Sequence, residues 1–423
     1  MQNYLLLLRK NPNFRRLWLA TVISYLGDWF NLLASAALIG HLTSSGAAVS
    51  YLFLSRFLPL FFFSPLTGVL ADRFDRKRLM IIADLLRAAT VACFILVQVT
   101  GVIWLLYLLT VIQFSLSALF QPAHAALIPN VVDAEDLVTA NALDGFTWSA
   151  MLAVGSLLGG IATTLFGITA CFAIDAATFL WSAFFIAQIV VPARPTVAAE
   201  HVRPGLLAFV DGLSYLRVRP FLLGIALIKT GGALFWGASD VLQVPIAREL
   251  FPIGENGAIT LALFYAMVGI GSGLGPLWLN AILGDNLRSN VLGVLLGFVL
   301  SFFGLYWLGI AGGVTGAILS VLLRSLGGGI VWVFSTTMWQ RLAVDEFRGR
   351  VASFEFASLT LFQSFGTLWA GYAQDVLHFS LTETVRATAL VPLTATLLWI
   401  LFVWWTGALK RENGKVGVEG LGD

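Results

Sequence analysis

Apolar residues fall along this chain in blocks of about 20, separated by short polar interruptions. Twenty helical residues rise about 30 Å, the hydrocarbon thickness of a bilayer, whereas a barrel strand needs only about ten residues of alternating character. The blocks predict twelve membrane-spanning helices at 17–39, 48–70, 79–99, 102–128, 139–165, 170–191, 221–245, 258–283, 290–310, 314–339, 351–376 and 384–407. The interruptions are minimal turns, such as Thr100-Gly101, or polar loops, such as 129–137 with Asp133, Glu135 and Asp136. The predicted fold class is an all-α integral membrane protein. It has an amphipathic lead (1–16), a six-helix bundle (17–191), a linker (192–219), a second six-helix bundle (220–407) and a polar tail (408–423). In the linker, Leu206, Phe209, Val210, Leu213 and Leu216 share helical spacing and predict a helix lying along the membrane surface.

Composition agrees. Hydrophobic residues make up 58% of the chain and charged ones 11%, against about 25% charged in a soluble domain. The net charge of +2 is small and the basic residues sit at span ends, which excludes a nucleic-acid binder. Cys93 and Cys171 lie inside apolar spans and predict neither a disulfide nor a metal site. No phosphate-binding loop, nucleophile elbow, zinc helix or catalytic carboxylate pair occurs, so neither an enzyme nor a cofactor is expected. The N-terminus carries no pattern of a cleavable signal.

The stretch 68–78 fixes the orientation. Six of the seven residues 72–78 are charged, four of them basic, so this is a tight loop between two spans. Basic loops stay in the cytoplasm. Of the 25 Lys and Arg, Arg248 and Arg386 fall on the outer side and Arg56, Lys229 and Arg324 within spans; the other 20 lie in or beside cytoplasmic segments. Both termini are therefore expected in the cytoplasm of a multi-pass membrane protein.

Three pairs of segments recur at similar offsets: Asn11-Pro12-Asn13-Phe14 with 218–221, Val132-Asp133 with Val344-Asp345, and 70–72 with 283–285. Their common order supports two pseudo-symmetric halves related by duplication.

Charged and polar residues inside spans are expensive, so each is a candidate for function. In span 1, Ser24, Asp28, Asn31 and Ser35 recur at i, i+4, i+7 and i+11, on one helix face. In span 4, Gln113, Ser117, Gln121 and His124 have the same spacing. Span 7 carries Lys229, Trp236 and Asp240 on one face, span 10 carries Arg324 and span 2 carries Arg56. These are the candidate functional residues, with Trp236 as the aromatic set to touch a substrate. Other readings stay open: a helix cap at Asp28 if span 1 breaks at Gly27, a snorkelling Lys229, a solvated Asp240, a helix-end His124. Arg324 needs a partner, and Asp28 or Asp240 could supply it. The Gly-rich runs at 155–160 and 269–276 are read as close helix packing, and the run 327–329 as flexibility just past Arg324.

The loop 68–78 resembles motif A of the major facilitator superfamily in Gly68, Leu70, Asp72, Arg73, Arg76 and Lys77, with Asp75 where the superfamily usually has Gly. The lead 9–20, Gly27-Asp28 and the loop 344–351 are similar to the bacterial branch that holds enterobactin and macrolide exporters. The run 155–160 resembles antiporter motif C, with Ser156 in place of its Pro, and span 4 lacks the arginine of motif B. The resemblance, which covers nearly the whole chain, implies that spans 1, 4, 7 and 10 line a central path. It implies that Asp72 engages the start of span 11, where Arg348 and Arg350 stand, as a gate. It further implies export of a small amphiphilic molecule in exchange for protons, with Asp28 as the candidate proton-coupling group, by a monomer in the lipid bilayer of a bacterial inner membrane. Import or facilitated diffusion of a metabolite or lipid on the same fold is the alternative, and a non-transporting receptor is the third reading.

Overall fold

The computed structural model describes residues 2–43, 45–133, 136–191, 213–284 and 286–407, with backbone only at 2, 3, 64–73, 138, 142, 345, 346, 348, 349 and 353. Residues 206–212 of the expected linker helix, and the tail 408–423, lie outside the described residues. A short lead helix, Gln2–Lys10, precedes span 1. Span 1 is Pro12–Leu42, started by Asn11, whose Oδ1 accepts from the Phe14 amide at 2.9 Å, and by proline at the first helical position. Span 2 is Gly46–Arg73 and span 3 is Arg76–Ala92 continued by Phe94–Thr100. Asp75, the departure from motif A, caps span 3: its Oδ1 accepts from the Arg78 amide at 2.7 Å. Span 4 is Ile103–Val131, entered through Gly101 at φ 68°.

Spans 5 and 6 were expected to be separate helices; instead one stretch, Leu137–Ala187, contains both. Gly167 at φ 78°, ψ 173° breaks the helical path. Only glycine takes that backbone without strain, so a single residue does the work of a loop.

Span 7 is Pro220–Ala226 with Ile228–Pro245. Spans 8 to 12 are Ala258–Leu283, Leu287–Leu308, Val314–Leu342, Asp345–Asp375 and Leu381–Thr406. Among the described residues, ten helices are long and apolar enough to cross a membrane. The stretch holding spans 5 and 6 counts once among them, and span 11 is excluded by its polar content.

The two halves repeat one packing scheme. Span 1 lies on the span 5–6 unit as span 7 lies on span 11; span 2 pairs with 4 as 8 does with 10; span 3 pairs with 4 as 9 does with 10. Spans 2 and 11, and 5 and 8, join the halves. Glycines let the backbones meet. A Cβ at Gly160 would meet Ala262 and the Ala258 carbonyl, and one at Gly269 would meet Ala153. The run 327–329, expected to lend flexibility, is packed tight: Gly327 lies on the Gly297 carbonyl and Gly329 on that of Ser272.

Spans 7 and 11 touch most closely at Gly237 and Gly366, each lying on a carbonyl of the other span, Gln363 and Leu234 respectively. Gly366→Ala forces the two backbones apart and should cost about 1–3 kcal/mol. Gly145→Ala, with open space around it, should be neutral or stabilising by up to about 1 kcal/mol. Thermal unfolding of the purified variants checks the contrast; equal transitions would refute it.

Candidate functional site

Span 1 runs unbroken through Gly27, so Asp28 is no helix cap. Gly27 faces span 6, where a Cβ would overlap Asp175 and Thr178. Asp28, one residue on, is half-buried and faces span 4, where the Gln113 amide donates to its Oδ1 at 3.3 Å. Asn31 is buried and its Oδ1 accepts from Ser35 at 3.3 Å. Gln121 is exposed. The Arg56 guanidinium of span 2 stands 4.4 Å from the centre of the Phe114 ring. His124 is no solvated helix end: it is buried, 3.0 Å from the Thr21 hydroxyl and 3.7 Å from Asp144.

The spans hold more charge than sequence reasoning allowed. Arg87, counted there with the cytoplasmic basic residues, is buried in span 3 and ion-paired to Asp84. Its guanidinium lies over both the Phe120 and Phe179 rings, and the Ser182 hydroxyl donates to Asp84 at 2.6 Å. The i, i+3 spacing of Asp84 and Arg87 was the available signal, since such pairs meet on one helix face. Asp144, Asp175 and Glu355 were also missed. Span 11 begins at Asp345 rather than 351, which places Glu355 ten residues inside it instead of near its end.

Glu355 answers the question of Lys229. That lysine does not snorkel: it is 4% exposed, and its Nζ donates to Glu355 Oε2 at 3.1 Å and Thr336 Oγ1 at 2.6 Å. It also stands 4.2 Å from the centre of the Trp332 ring. Glu355 Oε1 accepts from the Trp339 indole at 2.9 Å. Spans 7, 10 and 11 are thus tied by one buried network. Trp236 packs against Trp332, ring centres 5.8 Å apart, and Trp332 stays 44% exposed. Deeper along span 7, Asp240 is half-buried and accepts from the Gln363 amide at 3.3 Å. Arg324 is buried and within electrostatic reach of Asp240. Its Nη2 has no hydrogen-bond partner among the described residues.

Of the gate residues, the side chains of Gly68, Asp72, Arg73 and Arg348 lie outside the described residues. Arg76 donates to the Ala126 carbonyl at 3.1 Å and Asn130 at 2.9 Å, and Lys77 to the Ile189 carbonyl at 2.7 Å. Both therefore bind spans 4 and 6 of their own half. Arg350 lies over Phe347, 4.6 Å from the ring centre, and Phe347 stacks on Tyr215.

At the opposite end, away from this basic loop, the halves hold each other directly. Asp375, at the end of span 11, accepts from Ser45 Oγ at 2.6 Å and from the amides of Gly46 and Ala47 at 3.1 and 3.0 Å. It satisfies the free N–H groups at the start of span 2 and sits at the positive end of that helix. His41 meets Glu255 at 3.1 Å beside it, and Arg248 donates to the Thr43 carbonyl at 3.4 Å.

A family model described as Major Facilitator Superfamily matches residues 17–367. The chain is 25% identical to the putative bacilysin exporter BacE of Bacillus subtilis, over 85% of this chain and 88% of that one. It is 29% identical to the uncharacterized transporter YfiS of the same organism, over 60% of this chain and 58% of the relative's length. Macrolide efflux protein A of Streptococcus pyogenes is 24% identical over 51% of this chain and 54% of its own. Among solved structures, a bacterial homolog of the human lysosomal transporter Spinster, inward-facing and unoccupied, superposes with TM-score 0.75. It covers 96% of this chain and 98% of its own at 14% identity. The nucleoside transporter NupG gives 0.72, with 95% and 100% covered at 12% identity.

Removing one partner of a buried ion pair leaves the other charged and uncompensated, a cost of about 3–5 kcal/mol, whereas removing both is often nearly neutral. Glu355→Gln should therefore lower the unfolding temperature more than the double variant Lys229→Met with Glu355→Leu. Thermal denaturation of the purified proteins gives the order, and a double variant as unstable as the single one would contradict it.

Proposed function

The chain belongs to the major facilitator superfamily, and on that footing we propose that it exports a small amphiphilic molecule by alternating access, in exchange for protons. The observation that carries the reading is Asp28. It is a half-buried carboxyl within a membrane span, with an amide as its hydrogen-bond partner and no basic group within ion-pair distance among the described residues. Such a group can take and release a proton as its surroundings change, and a cationic or hydrogen-bonding substrate would compete for it. The Trp236–Trp332 pair supplies an apolar surface on the other half, suited to the body of an amphiphile. Efflux as the direction is supported by the printed roles of the bacilysin and macrolide relatives.

In this reading the basic end faces the cytoplasm of a bacterial inner membrane, and the monomer shuttles between two openings. The contacts of Asp375 with the start of span 2 hold the outer side shut. Asp72, at the other end of span 2, does the converse on the inner side by meeting the start of span 11.

Inverted membrane vesicles holding a pH gradient test the exchange. Hydrophobic drugs, macrolides and catechol siderophores are added in turn. A compound that dissipates the gradient with the natural protein and fails with Asp28→Asn is the expected result. An Asp28→Asn protein that still concentrates that compound would refute the assignment. The outer latch has its own test. Asp375→Ala removes a cap of about 1 kcal/mol and should raise the outward-open population roughly fivefold. Spin labels at Val102→Cys and Phe379→Cys, one exposed position on each half, would report a longer distance. An unchanged distance distribution would exclude the latch.

A further inference from the structure

Asp175 of span 6 is 0% exposed, and its Oδ2 has no hydrogen-bond partner among the described residues. Its Oδ1 lies 3.4 Å from the Thr178 hydroxyl, and the Asn31 side chain of span 1 is a second polar neighbour of the carboxyl. That hydroxyl owns a single proton, and its shorter contact, 2.7 Å, is to the Asp175 backbone carbonyl. Oδ2 is left without a hydrogen bond among the described residues.

The charged groups around it offer no relief. From span 1 comes Asp28, next to Gly27, on which Asp175 packs. From span 3 come Arg87 and Asp84, already paired with each other, with Arg87 held against two aromatic rings. Arg56 of span 2 is engaged on Phe114. An ionised carboxylate here would be desolvated with no ion-pair partner and, at Oδ2, no hydrogen bond, at a cost of several kcal/mol. A carboxylic acid carries no charge and brings its own O–H. Two further polar atoms nearby also lack partners: Nδ2 of Asn31, one turn beyond Gly27 on the same face, and Oε1 of Gln113, the residue that holds Asp28. No group of three His, Cys, Asp or Glu side chains able to hold a metal forms among the described residues, so the cation that suits this place is a proton.

We propose that Asp175 is a second proton-carrying carboxyl, which together with Asp28 forms a two-carboxyl coupling site between spans 1 and 6. Asp28 is the member open to the transport path and Asp175 the occluded one; the missing side chain at Gly27 brings them together. The inference rests on the proton-exchange reading above. It extends that reading from one titrating group to two, so that a proton reaches Asp175 by way of Asp28.

Infrared spectroscopy of the full chain in lipid nanodiscs at neutral pH tests it, with aspartate carboxyls carbon-13 labelled to mark their bands. The natural protein should show an aspartic-acid C=O band that Asp175→Asn abolishes and Asp28→Asn retains. Transfer to heavy water should shift that band, and the shift should be several-fold slower in Asp28→Asn, because the access group is gone. If Asp175→Asn does not fold, Asp175→Glu should move the band out of the aspartate-labelled set. A labelled spectrum with no such band, or one that Asp175→Asn or Asp175→Glu leaves unaltered, overturns the proton on Asp175. A band that exchanges equally fast in Asp28→Asn overturns the coupling between the two. Failure of the vesicle assay would count against proton-driven export while leaving the infrared result intact, so the two readings fail separately.

Discussion

A charge within hydrocarbon has no water to turn to, and its partner must come from another helix. Much of the interior follows from this constraint. Lys229 and Glu355 tie span 7 to span 11, with Thr336, Trp332 and Trp339 of span 10 completing the set. Arg87 and Asp84 neutralise each other within span 3, and Ser182 joins them to span 6. These paired charges fix how the helices of each half sit together. The charges left without an ion-pair partner among the described residues (Asp28, Arg56, Asp175, Asp240 and Arg324) lie in spans 1, 2, 6, 7 and 10. The first group builds the halves; the second is free to respond to what passes between them.

The second constraint is backbone proximity. At two places where helices of opposite halves meet, glycine stands against alanine, Gly160 with Ala262 and Gly269 with Ala153. Flat, side-chain-poor faces of this kind can separate without unlocking interdigitated side chains. The polar contacts across them include the Ser156 hydroxyl, 3.3 Å from the Ala262 carbonyl, and, at the end, those of Asp375 with the start of span 2.

The spans were legible because hydrophobic blocks of bilayer length have few alternatives. Their ends were less so: span 1 starts at Pro12 rather than 17 and span 11 at Asp345 rather than 351, because capping and polar first turns extend a helix past its apolar block. The stripe in span 1 placed Asp28 and Asn31 on one face and gave no picture of their neighbours. Asp28 and Asn31 were found from spacing, but Asp175 was not, since a lone acid five residues into a block looks like an end. Glu355 was missed for the same reason, and with it the partner of Lys229. Pairing across helices is a property of the fold and leaves no period in the sequence.

The connections at the Asp375 end differ between the halves. In the first, spans 3 and 4 are joined at Gly101-Val102 and spans 5 and 6 through Gly167 alone. In the second, the chain between spans 7 and 8 makes a wide π-turn and a 3-10 turn over Ile246–Leu250 and Glu255–Gly257, and 376–380 add a further loop. The first half therefore presents almost no chain beyond its helix ends on that face. An antibody fragment or any other large binder approaching from that side would take its footprint chiefly from the second half.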